Sequence, residues 1–214
     1  MPTKTGLVIA FDGPDGVGKT TQLKLLAETL KKAGHVIHMT RHNGGSPIGE
    51  ALRNVSLSPV ERSAETDLYI SLAMGQALSE ELQQRKKRGE IILLDRSPLA
   101  VVAYQAYGSQ LADKQAAFEA CDRLFKNEAI DILFFLNAPQ QIIDNRRHER
   151  NTTDYFESKG ADFHERVREG YEAALAFVRK DIKLGTQFIE VDASGDINTI
   201  QKTIIKTLPT DITT

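Results

Sequence analysis

Leu7-Val8-Ile9-Ala10-Phe11-Asp12-Gly13-Pro14-Asp15-Gly16-Val17-Gly18-Lys19-Thr20-Thr21 is the stretch that decides the fold. The apolar run over 6–11 predicts a strand buried on both faces, and it breaks at Asp12 just before a glycine-rich turn. The turn, residues 13–20, fits G-x-x-x-x-G-K-[ST], and a helical pattern follows over 19–33. Its glycines let backbone N–H groups turn inward around phosphate oxygens. The helix adds its N-terminal donors and the positive end of its dipole. Gly13, Pro14, Asp15, Gly16, Val17, Gly18, Lys19, Thr20 and Thr21 are therefore candidate ATP-binding residues. Lys19 is expected on the β- and γ-phosphates and the Thr20 hydroxyl on Mg²⁺.

Outward from this turn, short apolar runs at 35–40, 91–94, 130–136 and 188–191 alternate with helical patterns at 62–88, 113–127, 139–150 and 163–180. That alternation predicts right-handed crossovers and an α/β fold of three layers, the P-loop NTPase type. Its core is a five-stranded parallel sheet with helices on both faces. Gly34 and Gly89 stand where helix C-terminal caps are expected. The chain, 1–214, reads as one domain, with a short lid at about 146–161 that includes the polar stretch 151–161.

Composition narrows the partners. The 214 residues carry 27 Lys+Arg against 29 Asp+Glu, a net charge of −2, which gives no overall reason to bind a nucleic-acid polymer or an anionic membrane. The densest basic run, Arg85-Lys86-Lys87-Arg88, reads as a solvated helix end complementing the dipole. One cysteine, Cys121, excludes a disulfide framework and fits a buried small side chain in a reducing, cytoplasmic setting. His35, His38, His148 and His164 lack the spacing of a metal pair.

A P-loop does not name the acceptor. Asp95-Arg96 ends the apolar run at 91–94, at the strand edge where open α/β sheets bind ligands. There Asp95 can hold Mg²⁺ and Arg96 can grip a second phosphate bidentately. Arg146, Arg147 and Arg150 sit just before the polar stretch 151–161, with 146 and 150 on one helix side, where lid closure would bring them onto a transferring phosphoryl group.

Taken together these motifs resemble the thymidylate kinase family, over nearly the whole chain. The type is the bacterial one, with the catalytic arginine in the lid. Phe11-Asp12-Gly13 through Thr21 is similar to F-E-G-x-D-G-x-G-K-T-T, and Thr40-Arg41 through Arg53 to T-R-E-P-G-G-T-x-x-G-E-x-I-R. Asp95-Arg96 with Ala103-Tyr104-Gln105 fits D-R-Y-x-x-S-x-x-A-Y-Q, and Arg146, Arg150, Asp154 and Glu157 align with the lid motifs. The resemblance implies ATP and Mg²⁺ as donor system, dTMP as acceptor, and a homodimer formed through helices such as 68–82. It implies that Asp15 faces the acceptor sugar, Arg53 contacts the acceptor and Arg96 holds its phosphate. Tyr104 crowds the sugar 2′ position, and Gln105 reads the base. Lys19, Arg96, Arg146, Arg150 and Asp15 become the candidate catalytic set.

The chain also departs from the pattern. His42-Asn43 replaces Glu-Pro, Ser97 replaces an aromatic residue or His, and Ala100 and Val101 replace small polar residues. Met74 falls where an arginine often meets the thymine carbonyl, and Ile70, beside Tyr69, where a stacking Phe is usual. Met74 and Val101 cannot donate strong hydrogen bonds. Either thymine is read by Gln105 and shape, or the enzyme is a nucleoside or deoxynucleoside monophosphate kinase with altered base preference. Weaker base selectivity than is usual for the family is expected. Two other readings stay open on the sequence. A deoxynucleoside kinase would need a base near the sugar hydroxyl, for which His42 is the candidate. A nucleotide-binding module without turnover would not need the lid arginines.

Overall fold

The computed structural model describes residues 6–148, 156, 159–180 and 185–213. Five strands, β1 (Leu7–Asp12), β2 (Ile37–Arg41), β3 (Ile91–Asp95), β4 (Ile132–Asn137) and β5 (Gln187–Asp192), form one sheet in the order β2-β3-β1-β4-β5. Every pairing is parallel, with Ala10 opposite both Leu94 and Leu133. The expected α/β architecture is thus the one found. The central strands are apolar up to their last residue, Asp12, Asp95 or Asn137, because both of their faces are covered. β2 and β5 lie at the edges, and there polar residues such as His38, Thr40 and Glu190 interrupt the run.

Successive side chains of a strand point to opposite faces, and this splits the core in two. Ile9, Phe11, Leu93, Phe134 and Leu136 pack with Leu23, Leu26 and Leu30 of α1 (Lys19–Lys32) and Ile200 and Ile204 of α7 (Ile197–Thr207). Val8, Ala10, Ile92, Leu94, Leu133 and Phe135 pack with α3 (Ala64–Lys87), α4 (Lys114–Glu128) and α6 (Ala161–Lys180). The remaining helices are α2 (Pro47–Ser56), α5 (Gln140–His148) and the short α8 (Thr210–Thr213). No described helix is long and apolar enough to cross a membrane.

Local chemistry sets the ends. Ser63 caps α3, accepting from Thr66 N at 3.2 Å, and Asp196 caps α7 through Asn198 N and Thr199 N. Gly34 and Gly89 take φ of 84° and 78° after α1 and α3, as glycines at helix ends do. The basic run closing α3 is neutralised locally: Arg85 pairs with Glu81 and Glu90, Lys86 with Asp131, and Arg88 with Glu90. Cys121 is fully buried, and burial pushes its thiol pKa well up, so it behaves as a small apolar side chain.

Residues 101–108 form a π-helix, Val101–Gly108, buried almost throughout and pressed against α6. Its wide turns show in the Tyr104 carbonyl, which accepts from Ser109 N at 2.7 Å. Contact with α6 needs a bare backbone at Gly170: a Cβ there would stand 2.7 Å from Ala103 Cα and 3.0 Å from its carbonyl oxygen. Gly170→Ala is expected to force the segments apart, lowering stability by about 1–3 kcal/mol as overpacking does. Urea denaturation measures this; an unchanged midpoint would show that the contact yields freely.

Candidate active site

The glycine turn wraps as its sequence requires. Gly13, Gly16 and Gly18 have φ of 133°, 89° and 107°, and a Cβ on Gly13 would collide with the carbonyl oxygen of Leu136. Lys19 opens α1 and folds back under the turn, donating from Nζ to the carbonyls of Gly13 (2.8 Å) and Pro14 (3.0 Å). Burial lowers its pKa, and the nearby Arg96 adds to that; Asp15, with Nζ to Oδ1 3.7 Å, and Asp95 oppose it. The result is a buried amino group held against two carbonyls of the glycine turn.

Beside it, Thr20 Oγ1 donates to Asp95 Oδ2 at 2.6 Å. A hydroxyl and a carboxylate this close, at the carboxyl end of β3, are hard oxygen donors of the kind that hold Mg²⁺ together with water and phosphate. The donor set therefore fits that ion.

Arg96 follows Asp95 in a left-handed conformation, φ 72°, with its N–H bonded to Phe11 O at 2.8 Å. The twist carries the guanidinium across to the glycine turn. There it donates to the Asp15 carboxylate, to the Tyr104 hydroxyl (3.0 Å) and to the Tyr171 hydroxyl (2.7 Å). Tyr104 in turn donates to Asp15, and Tyr171 to Asp12 Oδ1 at 2.8 Å. Burial raises the pKa of both phenols well above the usual value, which keeps them as neutral donors. Asp12 is buried completely and also accepts from Gly13 N (2.8 Å), Ser97 N (2.8 Å) and Ser97 Oγ (2.5 Å). One carboxylate thus ties the glycine turn, the Arg96 turn and α6 together.

A narrow cavity of about 50 Å³ opens on this cluster. Asp15, Arg53, Arg96, Tyr104 and Gln105 line it, all expected from the sequence, together with Asn43, Ser56, Leu57, Ala100 and Phe156. Arg53 comes from α2, whose start is fixed by Ser46 accepting from Gly49 N at 3.0 Å. Phe156 meets the Tyr104 ring edge-on at 5.6 Å. Other expected base contacts lie elsewhere: Met74 and Val101 are buried in the core, Tyr69 is exposed, Ile70 is half-buried, and none of them lines this cavity. His42, the base a deoxynucleoside kinase would need, is fully buried with Nδ1 2.9 Å from Glu128 Oε1 and is also outside the lining.

Arg146, expected in the lid, lies on α5. Its guanidinium donates to the carbonyls of Val17 (3.2 Å), Ala193 (2.8 Å) and Gly195 (3.1 Å), tying α5 to the outer wall of the glycine turn. Arg150, Asp154, Glu157 and the side chain of Arg147 lie outside the described residues. Sequence reading overlooked Asp12, Tyr171 and Asn43 as site residues. Asp12 carries the same signal as Asp95, an acid at the carboxyl end of a buried strand.

Comparison with known proteins agrees with this geometry. The thymidylate kinase family model matches residues 11–204. A thymidylate kinase of Pseudomonas fluorescens (strain Pf-5) is 32% identical over 209 residues, 96% of each chain. One of Exiguobacterium sp. is 32% identical over 205 residues, covering 94% of this chain and 93% of its own. One of Gluconobacter oxydans is 34% identical over 172 residues, 78% of this chain and 80% of its own. With the glycine turn, the Asp95–Arg96 strand end and a match over almost its full length, this chain belongs to the thymidylate kinase family.

Proposed function

We propose that this chain transfers the γ-phosphoryl group of ATP to dTMP, giving dTDP and ADP, at the junction of the glycine turn and the Arg96 cluster. The observation that carries this reading is the juxtaposition of two basic side chains, Lys19 and Arg96, at neighbouring strand ends. The glycine turn with Lys19 leaves β1, and Arg96 leaves β3, and the two are joined through Asp15. The acceptor phosphate is already anionic at neutral pH, so the reaction needs alignment and charge neutralisation more than a base.

In this reading Lys19 and the N–H groups of the turn hold the β- and γ-phosphates, and Arg96 and Arg53 hold the acceptor. Asp15 and Tyr104 face its sugar. Thr20 and Asp95 would hold Mg²⁺, which when bound neutralises charge on the phosphate oxygens. Arg146 is a positioning residue through its three carbonyl contacts, which leaves the lid-arginine role to Arg150. We place the whole of 1–214 in one domain with the lid at about 146–161, acting in the cytoplasm. A homodimer belongs to the same reading. Since Leu68, Leu78 and Leu82 face the chain's own core, a partner would meet the other side of α3, where Tyr69 is exposed.

A coupled ADP-release assay with ATP·Mg²⁺ and a panel of nucleosides and nucleoside monophosphates tests this. Turnover is expected with dTMP and not with thymidine. Turnover with thymidine alone would indicate a nucleoside kinase, and none with any acceptor a binding module.

A further inference from the structure

We propose that Asn43 is a specificity-determining residue of the acceptor pocket, its carboxamide reading the edge of the acceptor's base together with that of Gln105. The proposal rests on the kinase reading above and adds to it the group that replaces the polar contacts Met74 and Val101 cannot make.

Asn43 stands on a fixed platform. Its backbone is left-handed, φ 59°, and its carbonyl accepts from Arg53 Nη1 at 2.9 Å. The residue before it, His42, is anchored by its N–H on Asp95 O at 2.9 Å and by its fully buried ring against Glu128. After it come Gly44 and Gly45 at φ of 154° and 75°. A Cβ on Gly45 would stand 2.8 Å from Arg41 O. A side chain on such a loop keeps its place, as a recognition group must.

The amide itself points to a ligand. Asn43 Oδ1 is shielded from solvent and has no hydrogen-bond partner among the described residues, and the same holds for Gln105 Oε1. Both residues line one cavity, with Arg53 and Arg96 beside them. Shielded amide oxygens are nearly always paired, so two such oxygens in one pocket mark the place where a ligand's donors arrive. A carboxamide carries both an acceptor and donors, so one can accept from a ring N–H while donating to the neighbouring carbonyl, and a second can donate to the carbonyl beyond. The base edge so matched is an imide, C=O, N–H, C=O, as in thymine. Ala100, Leu57 and Phe156 supply the apolar walls.

The test uses Asn43→Gly, which removes the amide and tolerates the left-handed backbone, and Asn43→Asp, which keeps the shape but can only accept. We expect Asn43→Gly to lower kcat/KM for dTMP about tenfold, the weight of one buried hydrogen bond, with KM for ATP and Tm little changed. Asn43→Asp repels imide carbonyls, and it should shift the dTMP-to-dCMP ratio of kcat/KM about tenfold toward dCMP, whose amino group donates. A purely structural role would lower both acceptors in proportion, so a ratio within about twofold of wild type in both variants would overturn the proposal while the kinase reading stood. Absence of dTMP turnover in the wild-type protein would overturn both.

Discussion

Arg96→Ala should lower kcat for dTMP about 10³-fold, a loss of about 4 kcal/mol of transition-state stabilisation, with the fold intact. Together with Arg53 the guanidinium lines the acceptor side of the site, and it is held there by Asp15, Tyr104 and Tyr171. Its removal would take away a bidentate phosphate partner and one of the two cations beside the Asp15 carboxylate, leaving Lys19 Nζ at 3.7 Å. Arg96→Lys should recover only part of the rate, since an ammonium cannot reproduce the planar fork. The backbone supplies an independent check. At φ 72° alanine is strained and glycine is not, so Arg96→Gly should be more stable than Arg96→Ala by about 1 kcal/mol while equally inactive. Steady-state kinetics and urea denaturation of the three variants separate the two effects. Near-normal turnover in Arg96→Ala would remove this residue from the mechanism.

The second large effect is expected at Asp12, on stability. Each of its oxygens accepts two donors: Gly13 N and Tyr171 on Oδ1, Ser97 N and Oγ on Oδ2. Hydroxyls can turn away, but the two backbone N–H groups cannot. Asn at this position must therefore aim an NH₂ group at one of them, whichever way the amide is turned. Asp12→Asn is expected to cost about 2–4 kcal/mol, counting one charge-assisted bond lost and one buried N–H left unpaired. Asp12→Ala should cost no less, since it strands both N–H groups and two hydroxyls. Denaturant midpoints measure this, and a loss under about 1 kcal/mol would show that water enters to replace the carboxylate.

Much of this molecule is readable in the chain itself, and the unreadable parts have definite causes. The sheet and the glycine turn are legible because burial on both faces demands unbroken apolar runs, and because a phosphate loop needs glycine at fixed positions. Helix α2 is readable too, with Ile48, Ala51, Leu52 and Val55 at helical spacing after Ser46-Pro47, yet it lay outside the elements expected, and it leaves Ile48 and Val55 exposed. The π-helix escapes because Val101–Gly108 is buried on nearly every side, which erases any period. Helix α7 is readable, with an Asp196 cap and Ile197, Ile200 and Ile204 at helical spacing, yet it lay beyond the elements expected. For the site, the resemblance located Asp15, Arg53, Arg96, Tyr104 and Gln105 because local motifs fix them. Asn43 stands inside a matched motif and was read only as a lost proline. Its role depends on the turn at Gly44-Gly45 and the burial of His42, which neighbours in sequence do not disclose.

The pairing of Arg96 with Asp15 has a consequence for which anions the protein ignores. A guanidinium already joined to a carboxylate presents little net field to solution, so free inorganic phosphate or sulfate has to displace Asp15 on the strength of its own charge alone. In the proposed reading a nucleotide would offer Asp15 a sugar hydroxyl as a new donor in the same act of binding, so the displaced carboxylate would not be left stranded. Common cellular oxyanions should therefore be weak inhibitors at this position. The exclusion comes from an internal competitor, with no need for a narrow entrance.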